Sequence, residues 1–407
     1  MTEPDQSKGV AQLLVDQTFG PFIFGRLGSH LSVWVHNLAA AVLVFQITGS
    51  AFAVGMLTVV QFMPQVLFSA WGGALSDRFD RRKMLMAGRA PAGLFCLLLA
   101  VVVAVGVSDT AVLVMTYVVG LGVGLGWALG VPAGHALTPT LVDRSSLTSA
   151  ITLTATTGHI SRMAGPAIAG VILVVGDAWM AFAAAGVGHL AFVLVLARLR
   201  VSATPSISRE NSRIRDGVRY TLASPRLLVP ILAGMIVSLG LEPMMTLAPA
   251  LAVELGREGV AATQLATAFG LGGVGAVALV GRLQQRFGFE RTASIGMGTV
   301  AVGLSAVLVV SFVPALVAFC VAGAGSTVAV VSLQSWIQHL VDETFRGRVM
   351  SLWALSYLGS RTVSATFLGS LGDAIGAGAA TAVAGLGCAI GAGLLLSLSW
   401  KWTRDAA

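Results

Sequence analysis

Apolar residues run through this chain in long blocks, and most of the charged residues fall in the gaps between them. The blocks are roughly 20 residues or longer, enough for a helix rising about 1.5 Å per residue to cross about 30 Å of hydrocarbon. Twelve spans are predicted. In the first half they cover about 20–46, 50–76, 84–106, 110–137, 147–174 and 178–197. In the second they cover about 227–253, 262–281, 292–311, 314–338, 348–371 and 377–399. The pattern predicts an all-α polytopic membrane protein: a six-helix bundle over 1–197, a basic linker over 198–226 and a second six-helix bundle over 227–407. In the linker, Thr204-Pro205-Ser206 reads as irregular, and Arg213 to Ala223 as a short surface helix ended by Ser224-Pro225.

Composition agrees with that pattern. Hydrophobic residues make up 56% of the chain, charged residues 11%, and mean hydropathy is +0.86. A soluble domain carries about 25% charge. The net charge of +7 could suggest a nucleic-acid partner, but the placement of the charges argues against one. Of 25 Lys and Arg, 20 fall in termini and connections on one side, and only Arg257 falls in a connection on the other. Arg26, Arg89, Arg162 and Arg361 lie within or at the edge of spans. Short cytoplasmic loops collect basic residues, so both termini are expected in the cytoplasm. Cys96, Cys320 and Cys388 all fall in spans with no CxxC pair, so neither a disulfide nor a metal site is expected. No cleavable signal peptide is visible ahead of the first span. With 3 Lys against 22 Arg and abundant Ala, Gly and Val, the chain reads as the product of a GC-rich bacterial genome.

Two short internal matches point to a duplicated, pseudo-symmetric pair of halves. Gly73-Ala-Leu-Ser-Asp77-Arg78-Phe-Asp80-Arg81-Arg82-Lys83 follows the second span, and 208 residues later comes Gly281-Arg-Leu-Gln-Gln285-Arg286-Phe-Gly288. In the fifth span Arg162 precedes Gly165, Pro166 and Gly170; in the eleventh, Arg361, 199 residues further on, precedes Ser364, Ala365 and Gly369. Each half thus carries a basic hairpin and an intramembrane arginine eight residues before a glycine, as expected of an internally repeated transporter.

The first hairpin resembles the loop 2–3 signature of the major facilitator superfamily. Gly158-x6-Gly165-Pro166-x3-Gly170 resembles that superfamily's antiporter signature, which marks exporters more than importers. Together with Gly347-Arg-Val-Met-Ser-Leu opening the eleventh span, these residues are most similar to its drug and siderophore exporter branch. The resemblance implies a twelve-helix fold, a small-molecule substrate and a monomer in the bacterial inner membrane. It also implies that Asp77 lies against the N-terminus of span eleven, Gly73 allowing close helix approach. Arg78, Arg81 and Arg82 would form a cytoplasmic latch with headgroups and acids such as Asp143. Asp80 stands where the signature most often has glycine, so the turn is expected to differ.

Charged groups inside the spans are the candidates for mechanism. Burying one at mid-bilayer costs at least about 2.5–3.5 kcal/mol, so it faces a cavity or a partner. Glu242, followed by Pro243, lies mid-span in helix seven, which the resemblance places on the central cavity. It is the candidate for proton coupling or for holding a cationic substrate, with a structural pair to one of the arginines as the other reading. Arg162 and Arg361 read as groups that stabilise the bundle or couple the halves, Arg26 lies near the cytoplasmic end of span one, and His36 is the histidine to watch; all four are further candidates for proton or substrate contact. No phosphate-binding Gly-x4-Gly-Lys-[Ser/Thr] loop, zinc spacing or nucleophile elbow occurs, so no cofactor is expected and the proton gradient would supply the energy. The expected function is proton-coupled export of a hydrophobic or amphipathic molecule. A solute importer or uniporter, or a lipid flippase, stands as the alternative.

Overall fold

The computed structural model describes residues 9–199, 214–257, 261–309 and 311–405, and the regular structure among them is entirely helical. Helix α1 (Val10–Leu14) leads into α2 (Phe19–Thr48), α3 (Ala51–Arg78), α4 (Arg81–Val105), α5 (Asp109–Leu137), α6 (Leu147–Val175) and α7 (Ala178–Arg198). Then follow α8 (Ile214–Ala223), α9 (Pro225–Leu241), α10 (Ala248–Glu254), α11 (Ala261–Ala306), α12 (Phe312–Leu340), α13 (Glu343–Ile375) and α14 (Ala377–Asp405).

Ten of these helices are long and apolar enough to cross a membrane. Helix α11 is two spans joined at Gly288, whose φ of 77° and ψ of 171° break an otherwise continuous helix. Helix α13 adds another: charges near both ends lower its hydropathy, while Val349 to Gly372 carries Arg361 alone. Twelve spans result, and the protein is an all-α polytopic membrane protein. The surface helix expected over 213–223 is α8; residues 200–213 of the linker lie outside the described residues.

The chain divides into two compact units, one of residues 1–43 and 60–208, the other of 44–59 and 209–407. Glycine lets helices touch backbone to backbone inside each. In the first unit a Cβ on Gly88 of α4 would stand 2.5 Å from the Gly126 carbonyl oxygen of α5, and one on Gly126 would collide with the Gly88 carbonyl. In the second unit Gly296 of α11 and Gly325 of α12 face each other in the same way, at 2.8 and 2.6 Å. These pairs are related by the same offsets, 208 and 199, as the two sequence repeats (88 to 296, 126 to 325). In lipid, where apolar burial drives little helix association, such close contacts are a main source of cohesion.

Helix starts are closed by acids. Asp80 accepts from the Arg82 and Lys83 backbone N–H groups at 2.9 and 3.2 Å and caps α4, so the unusual acid in the hairpin has a structural task. In the second unit Asp373, near the end of α13, accepts from the Ser50 hydroxyl and from the Ala51 and Phe52 N–H groups at the start of α3. Glu254 does the same for the Ala377 and Gly378 N–H groups opening α14. Each carboxylate also meets the positive end of a helix dipole. Helix α8 is fastened to the start of α13 by Tyr220, which stacks on Phe345 at 4.2 Å and donates to Asp342 at 2.9 Å. Burial against α13, with the Asp342 bond added, raises the Tyr220 phenol above its ordinary range.

Candidate functional site

Span seven is not one helix. Helix α9 ends at Leu241, a 3₁₀ turn covers Glu242–Met244, and the α-helix resumes only at Ala248. Pro243 has no N–H to donate and occupies the start of the tight turn. The Glu242 carbonyl accepts from both Met245 N–H at 2.9 Å and Thr246 N–H at 2.8 Å. The carboxylate of Glu242 is therefore presented from a break in the helix, deep inside the second unit, with no exposed surface.

Arg361 of α13 meets it there. Its Nε donates to Glu242 Oε1 at 2.6 Å, and the Thr246 hydroxyl donates to Oε2 at 3.2 Å. Arg361 is 4% exposed, so both charges lie out of water. The face of α13 leading to it is polar and aromatic. Ser360 shares a 2.7 Å hydrogen bond with Ser238 of α9, and Trp353 stacks on Tyr357 at 5.8 Å. The Tyr357 hydroxyl, one turn before Arg361, is buried without a partner. Two residues 119 apart in sequence thus form one buried ion pair, its carboxylate further bonded by Thr246. Removing either partner would leave the other as an uncompensated buried charge.

The remaining candidates lie in the first unit. His36 is fully buried, edge-on to Phe182 at 5.6 Å and 4.0 Å from Cys96 Sγ, with its Nε2 unpaired. Its surroundings are those of a packed core residue. Arg162 of α6 lies over the Trp34 ring at 5.5 Å, and its buried Nε has no hydrogen-bond partner. Gly165, three residues on, lets α6 press against Trp34 of α2, and α6 continues as helix through Pro166 to Val175 with Gly170 buried; nothing lies within 4 Å of a Cβ at Gly158. Arg26 is buried with its Nε unpaired.

In the hairpin, Arg81 and Arg82 depart from expectation. Arg81 donates to the Ala136 carbonyl at 3.1 Å and Arg82 to the Leu199 carbonyl at 2.5 Å, rather than to Asp143. These acceptors are the orphan carbonyls near the C-terminal ends of α5 and α7, where a cation also meets the negative end of the dipole. Gly73, Asp77 and Arg78 belong to α3, but the surroundings of Gly73 and the side chains of Asp77 and Arg78 lie outside what the structure describes. The sequence places Arg89 within or at the edge of a span without making it a candidate, and does not single out Tyr357. A charge at the sixth residue of the predicted span 84–106 was the available signal for Arg89, masked by the basic hairpin just before it.

A family model described as transmembrane secretion effector matches residues 13–406. The chain belongs to that family of the major facilitator superfamily. The enterobactin exporter EntS of Salmonella typhimurium is 27% identical over 358 residues, covering 87% of this chain and 85% of the relative. EntS of Salmonella choleraesuis is 28% identical over 360 residues, with the same coverage. Solved structures share the fold. A nucleoside transporter NupG superposes with a TM-score of 0.71 at 9% identity, covering 93% of this chain and 98% of that one. A bacterial homologue of the iron transporter ferroportin gives 0.69 at 16%, covering 92% and 98%. The superfamily and exporter-branch resemblance read from the hairpin and from the fifth and eleventh spans is met by these relatives. This member of the family is a multi-pass membrane transporter, not an enzyme.

Proposed function

We propose that the protein is a proton-coupled exporter of hydrophobic or amphipathic small molecules, working by alternating access in the bacterial inner membrane with both termini in the cytoplasm. The observation that carries the coupling is the Glu242–Arg361 pair at the break in span seven. A carboxylate with no exposed surface is held by one guanidinium nitrogen and one hydroxyl, and a proton on it would remove the charge attraction to Arg361. Export as the direction is supported by relatives that are enterobactin exporters and by the Gly165-Pro166 sequence in α6. The one-sided placement of basic connections supports the orientation.

Efflux of rhodamine 6G, carboxyfluorescein and erythromycin from expressing cells, with and without a protonophore, tests the reading. Wild type should export at least one probe in a protonophore-sensitive manner, and Glu242→Gln, matched for membrane expression, should abolish the sensitive fraction. Full protonophore-sensitive efflux in Glu242→Gln would move coupling to another group.

A further inference from the structure

The first unit contains two buried cations that the ion pair of the second unit does not explain. Arg26 of α2 is 4% exposed and Arg89 of α4 is 2% exposed. Arg26 Nε and Arg89 Nε and Nη1 are buried with no hydrogen-bond partner, and among the described residues no carboxylate pairs with either side chain. The two sit side by side across one face of α5. A Cβ on Gly134 would stand 2.5 Å from Arg26 Nη1, and one on Gly130, a turn earlier, would stand 3.7 Å from Arg89 Nε. Leu85 is within 4 Å of both positions. Trp127, three residues before Gly130, lies under the Arg89 guanidinium at 4.7 Å and beside the His30 ring at 4.9 Å. The other ionisable groups facing the cluster are also basic or neutral: His30 itself, His189, which is hydrogen-bonded to Ser29 at 2.9 Å, and His135. Leu85 belongs to a buried apolar cluster that also holds Phe22, Ile23, Ala133 and Leu137.

Helix packing does not require this arrangement. The same α-helical contact recurs in the second unit at Gly296 and Gly325, and there the positions equivalent to Arg89 and Gly130 by the 208 and 199 offsets are Met297 and Ala329, both fully buried and apolar. Where the first unit places the Arg89 guanidinium, the second places the uncharged side chain of Met297. Arginine stays charged at any physiological pH, and two like charges in an apolar wall repel. An anion between them removes both penalties, and the planar guanidinium fork matches a carboxylate or phosphate. Arg89 is nine residues beyond the Asp80 cap of α4, about 13 Å along the helix axis from the hairpin.

We infer that Arg26 and Arg89, with Trp127 as a stacking floor and Gly130 and Gly134 as the clearance, form an oxyanion-binding site in the first bundle. Its occupant carries a carboxylate or phosphate on an apolar body. That head belongs either to the transported molecule, which would make the substrate of the proposed exporter an anionic amphiphile, or to a phospholipid. Only the first source rests on the export reading.

The test is thermal unfolding of the purified full-length protein in neutral detergent, titrated with decanoate, decyl phosphate, inorganic phosphate and decylamine. Decanoate and decyl phosphate should raise the unfolding midpoint of wild type while decylamine does not. In Arg26→Gln and Arg89→Gln the apparent affinity for the anions should fall about tenfold or more, and Arg89→Lys should retain part of it. Wild type alone is decisive should a variant fail to fold: equal shifts from decanoate and decylamine, or no shift from any anion, would overturn the site. So would an unchanged anion response in the double glutamine variant. Lipid nanodiscs separate the sources: stabilisation by phosphatidylglycerol over phosphatidylcholine, lost in the variants, assigns the site to a headgroup. Inhibition of carboxyfluorescein efflux by decanoate assigns it to substrate. Binding is read without transport, so selective anion binding in a protein that exports nothing would leave the site standing and refute the export reading instead.

Discussion

Glu242 and Arg361 are each a liability alone and compatible with the bundle together. Removing one partner of a buried pair leaves the other charge uncompensated, at about 3–5 kcal/mol, whereas replacing both with neutral groups restores most of that loss. Glu242→Gln and Arg361→Gln should therefore each lower the thermal unfolding midpoint in detergent. The double variant should recover well above either single one; additive losses would show that the two do not act as a pair. At the hairpin, Asp80→Ala should cost about 1 kcal/mol by uncapping α4, read in the same assay. Glu242 was legible in the sequence because a charge amid apolar residues has few uses. Its partner was not, since Arg162 and Arg361 occupy equivalent repeat positions and only the fold shows that the first stacks on Trp34 while the second reaches the carboxylate. Arg81 and Arg82 misled for a related reason: the helix-end carbonyls they bond are invisible to a reading that looks for opposite charge.

Among the elements, the spans were readable because lipid imposes length and apolarity on each one. The positions of the breaks were less so. Pro243 announces the interruption of span seven, but nothing local shows that the helix would resume only at Ala248. The hairpin expected over 282–291 is a single bend at Gly288, the helices on either side extending through the charged residues. Capping by distant acids was likewise hidden, because Asp373 and the start of α3 are 322 residues apart. Asp373→Asn should lower stability by about 0.5–2 kcal/mol, measured as a lower unfolding midpoint, since the cap loses its charge and part of its hydrogen bonding. The paired glycines make a sharper prediction. Gly88→Val and Gly296→Val should each destabilise by about 1–3 kcal/mol, because both drive a side chain into the backbone of the facing helix. A neutral result at either would mean that helices in that unit are not held by close backbone contact.

Over the whole molecule, the same helical plan occurs twice with different chemistry inside. The second unit keeps a neutralised pair at a broken helix, and the first keeps unpaired arginines on an intact glycine face. Duplication was visible in the sequence as two weak matches, and the recurrence of Gly88–Gly126 as Gly296–Gly325 gives those offsets a physical meaning. Divergence within a repeated packing frame is where a transporter could place groups of different function. In the proposed function a proton on Glu242 drives transport. The direct measurement is uptake into everted membrane vesicles, acidified inside, of whichever of rhodamine 6G, carboxyfluorescein or erythromycin the wild type moves in cells. Wild-type vesicles should accumulate it against its gradient until the pH difference is collapsed. Glu242→Gln vesicles should only equilibrate it. Gradient-driven accumulation at the wild-type level in Glu242→Gln would contradict the account.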